Sequence, residues 1–220
     1  MNISIFQVAG PVMIGPSSSH TAGAVRLART ASRLVNYEFD YVTFGLHASF
    51  AETGTGHGTD KALVAGVLGL MEDDENIINA FYLADKRNLR YKFYKINLEG
   101  MHENSVKITF YKGDKQLGIV CGSSIGGGEI TINQIDGYKT EIRDEYPTLF
   151  IRQRDKEGII SFITSILSEY KINIATMKVS RMKKKENAAC VIELDEKIPE
   201  EIIYRLEQNR DIYSVNTINM

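Results

Sequence analysis

Three polar, glycine-containing segments hold the side chains of this sequence that could do chemistry. The first is Gly10-Pro11-Val12-Met13-Ile14-Gly15-Pro16-Ser17-Ser18-Ser19-His20-Thr21-Ala22-Gly23-Ala24, and a helical pattern follows it at once. Its two Gly-Pro pairs predict a stiff approach, because proline fixes its own φ angle and restricts the residue before it. Hydroxyl groups, an imidazole and the free N–H groups of a first helical turn would converge there. Such an arrangement favours the binding of a small anion.

The second segment is Glu52-Thr53-Gly54-Thr55-Gly56-His57-Gly58-Thr59-Asp60, and the third is Gly122-Ser123-Ser124-Ile125-Gly126-Gly127-Gly128. An imidazole titrates near neutral pH, so His20 and His57 are the two candidates for proton transfer. Simpler interpretations also stand: Ser19 or Thr21 could be only an N-cap, and a histidine in a loop is more often structural than catalytic. The glycines of the third segment are more simply explained by a tight turn, since neither a Walker lysine pattern nor dinucleotide spacing is present.

Periodic apolar residues predict the elements that must position these segments. Ala22 to Val35 has the spacing of an amphipathic helix, and Phe39 to Phe50 has the β-branched and aromatic content of a strand. Further helices are predicted over Thr59–Leu70 and Asn76–Lys86, with a short helical turn over Ser4–Val8. Strands are predicted near 90–98, 105–111, 116–122, 129–133 and 137–143. The first part of the chain is therefore expected to be mixed α+β.

From Pro147 the pattern restarts with a complete cycle of its own. The predicted elements are strand 148–153, helix 156–170, strands 173–181 and 187–194, helix 200–208 and strand 212–218. This order, βαββαβ, is that of the ferredoxin-like split unit. We therefore predict an α+β protein with two domains, 1–145 and 146–220. The smaller domain is short enough that association with another subunit would add to its stability.

Composition excludes several classes of function. A formal net charge of -2 gives no electrostatic reason to expect nucleic acid or an anionic membrane as a partner. The two cysteines, Cys121 and Cys190, lack the spacing of a metal site or of a disulfide framework, which fits a reducing cytoplasm. No apolar run is long enough to span a membrane, and the N-terminus lacks the pattern of a signal peptide. A cytoplasmic protein is the expectation.

Taken together, the segments resemble the β subunit of the bacterial iron-sulfur L-serine dehydratases. The resemblance rests on Gly15-Pro16-Ser17-Ser18-Ser19-His20-Thr21-Ala22-Gly23, on Gly56-His57-Gly58-Thr59-Asp60 and on Ser124-Ile125-Gly126-Gly127-Gly128, and in order it covers the whole chain. It implies a first domain similar to the allosteric substrate-binding domain of some 3-phosphoglycerate dehydrogenases. The second domain resembles the ACT regulatory domain, through its element order and the turn Asp155-Lys156-Glu157-Gly158-Ile159.

This resemblance implies a lyase that converts L-serine to pyruvate and ammonia and uses a 4Fe-4S cluster instead of pyridoxal phosphate. In the two-chain form an α subunit supplies the cysteine ligands, so the implied partners are that subunit, L-serine and a second copy bound through the ACT domain. No metal ligand is expected on this chain. Removal of the α-proton and expulsion of hydroxide require a carboxylate clamp, a base and a Lewis acid. The implied residues are His20 and His57 for catalysis, Ser17, Ser18, Ser19, Thr21, Gly58 and Thr59 for substrate binding, and Asp155, Gly158 and Ile159 for regulation.

One alternative belongs to a different class of protein. A non-catalytic amino-acid sensor would bind a small carboxylate in the first domain and signal its occupancy through the ACT domain. A pyridoxal-phosphate enzyme has little support, since no lysine lies in a convincing Schiff-base setting. A neighbouring gene for a cysteine-bearing chain would favour the dehydratase over the sensor.

Overall fold

A computed structural model describes residues 13–54, 56–184 and 186–219 of the chain. The chain divides into two compact units, Met1–Asp136 and Gly137–Met220. The predicted domain boundary at 145/146 stays a prediction. The helical turn predicted over Ser4–Val8 and the first Gly-Pro pair lie outside the described residues. Among the described residues, no helix combines the length and apolar character needed to cross a bilayer.

The first unit is mixed α+β, as the pattern predicts. A π-helical turn, Ser18–Ala22, runs directly into the first α-helix. The helices are α1 (Gly23–Val35), α2 (Ala48–Thr53), α3 (Thr59–Val67), a 3₁₀ turn (Glu75–Asn79) and α4 (Ala80–Lys86). The strands are β1 (Tyr41–Leu46), β2 (Arg90–Lys95), β3 (Ser105–Lys112), β4 (Lys115–Gly126) and β5 (Glu129–Ile135).

These five strands lie in the order β2-β1-β3-β4-β5. β1 pairs with β2 in parallel, with Thr43 opposite Lys92, and the other pairings are antiparallel. A parallel pair needs a crossover connection, and α2, α3 and α4 all lie within it. The apolar face of α1 packs against α3 and the sheet, and the core residues it contributes are Ala24, Val25, Leu27, Ala28, Ala31, Leu34 and Val35.

Two interpretations of the first unit were wrong in detail. The strand predicted to reach Phe50 ends at Leu46, because Ala48 adopts a φ of 37° and turns the chain into the short helix α2. A left-handed conformation at a non-glycine residue has no clear sequence signal. In the third segment, β4 continues as far as Gly126, so Ser123 and Ser124 lie in a strand and only Gly127 and Gly128 form the turn.

The second unit contains the predicted βαββαβ cycle. After β6 (Tyr138–Ile142) come β7 (Thr148–Arg154), α5 (Ile159–Glu169), β8 (Ile174–Arg181), β9 (Asn187–Leu194), α6 (Glu200–Glu207) and β10 (Ile212–Ile218). The order β10-β7-β9-β8 is that of a ferredoxin-like sheet, and the two helices share an apolar core with it. The fold-class prediction is confirmed.

Candidate active site

The serine segment forms a capped helical start. Ser17 has extended backbone angles, and its hydroxyl oxygen accepts a hydrogen bond from the His20 N–H at 3.1 Å. The carbonyl of the same residue accepts from the Thr21 N–H at 2.9 Å. The N–H groups of Ser18 and Ser19 have no partner among the described residues, as is usual in the first turn of a helix. The N-cap of this helical start is therefore Ser17, and not Ser19 or Thr21.

The His20 ring is held on three sides. Its Nδ1 lies 3.2 Å from the Ser19 hydroxyl, and its Nε2 lies 3.1 Å from each of two hydroxyls, those of Ser49 and Thr53. The edge of the Phe50 ring packs against it with the ring centroids 5.3 Å apart. A ring with both nitrogens bonded and one face packed has a fixed orientation.

The second histidine lies beside the first. The ring centroids of His20 and His57 are 5.1 Å apart, so the structure brings together the two histidines that the sequence singles out. The Thr21 hydroxyl donates to the His57 carbonyl at 3.1 Å and joins the first segment to the second. His57 Nδ1 lies 3.1 Å from the Thr53 carbonyl, and its Nε2 has no hydrogen-bond partner among the described residues.

Electrostatics favour a neutral His20. Burial lowers the pKa of His20 below its ordinary value of 6.5, and the neighbouring His57 ring lowers it further. The Glu103 carboxylate and a hydrogen bond to the Ser49 backbone oppose this shift only in part. An imidazole that stays neutral near pH 7 can accept or donate through either nitrogen.

The residues before the serine segment and the start of α3 position the remaining parts of the site. The Ile14 N–H donates to the Glu72 carbonyl at 3.0 Å, and the Glu72 carboxylate pairs at 3.0 Å with the buried guanidinium of Arg29. Gly58, with a φ of 70°, precedes α3, a conformation that a residue with a Cβ adopts only under strain. Thr59 opens α3, fully buried, and its hydroxyl has no hydrogen-bond partner among the described residues.

The third segment contributes to the same region from β4. Ser124 is fully buried and its hydroxyl has no partner among the residues described. This hydroxyl lies directly against Gly23 at the start of α1. The third segment therefore packs behind the serine segment.

In the second unit, Gly158 is the N-cap of α5 and has a φ of 86°. Asp155 is not the cap: its carboxylate pairs with Arg181 at 3.2 Å, and its N–H donates to the Glu186 carbonyl. Ile159 is buried in the apolar core. A regulatory role for these residues stays a prediction.

Sequence reasoning missed the two hydroxyls that hold His20. Ser49 and Thr53 lie one helical turn apart on α2; Ser49 falls within the predicted strand Phe39–Phe50, and Thr53 falls within the second segment, for which no helix is predicted. Their i, i+4 spacing places them on one helix face and could have identified them once a helix was considered. Glu103, whose charge acts on His20, gave no signal because it belongs to none of the three segments.

This arrangement can bind an anion and move a proton. It offers N–H groups and hydroxyls at a helical start, beside two neighbouring imidazoles whose planes are tilted by 40°. Among the described residues there is no group of three or more His, Cys, Asp or Glu side chains that could hold a metal ion. The described part of the chain therefore does not offer a ligand set for a metal cluster.

Comparisons with known proteins identify relatives of this chain. The family model described as "Serine dehydratase beta chain" matches residues 4–84, which include both histidines of the site. The chain is 42% identical over 200 residues to the L-serine dehydratase beta chain of Peptoniphilus asaccharolyticus, covering 90% of each chain. It is 36% identical over 217 residues to a probable L-serine dehydratase beta chain of Bacillus subtilis, covering 98% of this chain and 97% of the other.

Among solved structures, the chain is similar to the ACT domain from GTP pyrophosphokinase of Chlorobium tepidum. That match is 19% identical with a TM-score of 0.29 and covers 33% of this chain and 95% of the other. The assignment to a family rests on the two beta chains, whose similarity extends over nearly the full length. The chain belongs to the family of L-serine dehydratase beta chains.

Proposed function

We propose that this chain is the β subunit of a two-chain L-serine ammonia-lyase and supplies the substrate clamp and a proton acceptor. The observation that carries the proposal is the pairing of His20 and His57, 5.1 Å apart, beside the helical start at Ser17–Thr21. In the reaction L-serine loses its α-proton and its hydroxyl group as water. The enamine that forms becomes an imine, and water converts the imine to pyruvate and ammonia.

The clamp consists of N–H and O–H groups that are free to donate hydrogen bonds to a carboxylate. The Ser18 and Ser19 N–H groups and the Ser18 hydroxyl make no hydrogen bond to a described residue. They stand at the positive end of a helical segment that runs from Ser18 to Val35. The hydroxyls of Ser17 and Thr21 are used internally, so these two residues shape the clamp instead of donating to the substrate.

His57 is the better placed of the two proton acceptors. Both nitrogens of His20 are bonded to hydroxyls, whereas His57 bonds through Nδ1 and leaves Nε2 open among the described residues. A neutral His57 that donates from Nδ1 has its lone pair on Nε2. We assign to Nε2 the removal of the α-proton, with His20 beside it as a neutral hydrogen-bonding neighbour.

A partner must complete the site. We propose that an α subunit holds a 4Fe-4S cluster, since the described residues of this chain offer no set of ligands for one. Such a cluster would supply a Lewis acid for the departing hydroxyl group. Cys121 and Cys190 are both buried and free, and free thiols fit a reducing cytoplasm, where we place the protein.

Anaerobic reconstitution tests the proposal. The purified chain is mixed with a candidate α subunit, a cysteine-bearing chain from the same organism, and pyruvate formation from L-serine is followed. Activity should require both chains, and full activity of the cysteine-bearing chain alone would overturn the proposal. Serine binding by this chain without any effect on that partner would instead identify an amino-acid sensor.

Two variants assign the roles of individual residues. His57→Asn should lower kcat by about 10²–10⁴-fold, the usual contribution of a positioned base. Ser18→Ala should raise the KM for serine by roughly 10- to 100-fold, because a hydrogen bond to a charged group is worth about 1.5–3 kcal/mol. Ser165→Ala, at an exposed position of α5, is the matched control and should change neither value.

We further propose that the second unit regulates the enzyme through self-association. Gly158 opens α5, and the Asp155–Arg181 pair closes the loop before it, which makes this loop the suggested effector site. Sedimentation of the full chain with and without L-serine measures the association. The proposal expects at least a dimer, and a monomer at all concentrations would contradict it.

A further inference from the structure

Thr53, the last residue of α2, contacts both histidines of the site. Its hydroxyl oxygen lies 3.1 Å from His20 Nε2, and its carbonyl oxygen lies 3.1 Å from His57 Nδ1. The Thr53 side chain contacts the His20 ring, and the Thr53 main chain contacts the His57 ring. A single residue therefore occupies the junction between the two imidazoles.

The side-chain contact has a defined direction. The Thr53 hydroxyl carries one proton, and it lies 2.9 Å from the Ser49 carbonyl, which can only accept. With its proton given to that carbonyl, the Thr53 oxygen can only accept from His20, which requires the His20 proton on Nε2; the Ser49 hydroxyl oxygen, also 3.1 Å from Nε2, is then a second acceptor of that proton. Nδ1 of the same ring then accepts from the Ser19 hydroxyl at 3.2 Å.

The main-chain contact of Thr53 fixes the opposite tautomer in the His57 ring. A carbonyl oxygen has no proton to give, so His57 Nδ1 must carry the proton that joins it to Thr53. The second ring nitrogen of neutral His57 is then the unprotonated one. The two rings, 5.1 Å apart, thus hold different tautomers.

We propose that Thr53 is a positioning residue that sets the tautomers of both histidines, holding His20 protonated on Nε2 and His57 protonated on Nδ1. Its meaning for catalysis rests on the proposed function, because only this tautomer of His57 presents a basic Nε2 to a substrate. The charged and titratable groups that act on His20 are the His57 ring and the Glu103 carboxylate. Neither of them contacts the Thr53 hydroxyl directly.

Nitrogen-15 NMR of the four histidines in the purified full chain tests the proposal directly. The variants His20→Gln and His57→Gln assign the signals. Above the titration range, His20 should show a protonated Nε2 and His57 a protonated Nδ1. The opposite tautomer at either ring would overturn the proposal.

Two substitutions separate the hydroxyl from the carbonyl. Thr53→Val keeps the shape and the carbonyl, so the His20 signals should change to those of mixed tautomers while His57 keeps its proton on Nδ1. Thr53→Ser keeps the hydroxyl and should restore the wild-type spectrum. An unchanged His20 spectrum in Thr53→Val would refute a role for the hydroxyl, and circular dichroism checks that each variant folds.

In the reconstituted enzyme, Thr53→Val should lower kcat by about 10-fold with little change in the KM for serine, because a misplaced ring affects the transition state more than binding. Thr53→Ser should retain most of the activity. The NMR measurement needs only this chain. A failed reconstitution with the expected tautomers would therefore contradict the proposed function and support the role of Thr53.

Discussion

Replacing Gly66 with alanine should push apart the two helices that bring His20 and His57 together. Gly66 lies on α3, where it faces α1. A Cβ at this position would lie 2.3 Å from the Val25 carbonyl oxygen, about 1 Å short of the ordinary contact distance of 3.4 Å. It would also lie 2.8 Å from the Ala28 Cβ. The obstacle is mainly backbone, which cannot rotate away as a side-chain tip can.

The size of the effect follows from this geometry. Forcing an extra methyl group into a packed interface costs about 1–3 kcal/mol. For a chain of this length, each kcal/mol lowers Tm by about 2–4 °C, so Gly66→Ala should melt roughly 3–10 °C below the wild type. Because α1 follows the serine segment and α3 follows His57, their separation should also weaken the 3.1 Å hydrogen bond from Thr21 to the His57 carbonyl.

Thermal denaturation followed by circular dichroism measures the first effect, and the reconstituted pyruvate assay measures the second. Gly56→Ala is the control for stability, since among the described residues a Cβ there meets only the Thr53 carbonyl at 3.6 Å, an ordinary contact. A Tm of Gly66→Ala equal to that of the wild type would refute the reasoning. It would mean that α1 and α3 are not in close contact in solution.

Three further predictions concern charge and burial. Glu72→Gln leaves the buried Arg29 guanidinium without its carboxylate and should lower the free energy of unfolding by about 2–3 kcal/mol in urea denaturation; an unchanged midpoint would contradict the pair. Burial raises the pKa of Cys190 to about 12 and raises that of Cys121, so neither thiol should react with a thiol reagent until urea unfolds the chain. Because the pKa of His20 is lower in the folded chain than its ordinary 6.5, the unfolded chain binds more protons as the pH falls below that value. Stability should therefore decrease there, and His20→Gln should make that decrease smaller; an equal decrease in the variant would exclude His20 as its source.

The fold of the second unit could be predicted closely from the sequence. The bounds of β9 and β10 are those predicted from the sequence, Asn187–Leu194 and Ile212–Ile218. Polar or glycine-containing turns separate each element there from the next. Local patterns are sufficient when local preference and tertiary packing agree.

Of the candidate site, the sequence predicted the two histidines but not the residues that hold them. The types and settings of His20 and His57 identified them, and the structure places them side by side. Their supporting hydroxyls were not predictable, because Ser49 and Thr53 depend on a helix that starts at the left-handed Ala48. Apolar periodicity detects neither a six-residue helix nor a reversal of the backbone made without glycine.

The parallel pairing of β1 with β2 affects the order in which the first unit folds. His20 precedes β1, whereas Thr53 and His57 belong to the long crossover that must close before β2 can pair. Closing such a connection costs chain entropy before its contacts repay that cost, so we expect this pairing to form late. The two histidines then meet only when the crossover is complete. A partly folded chain would have helices and strands but no assembled histidine pair, so the candidate site would form in the last step of folding.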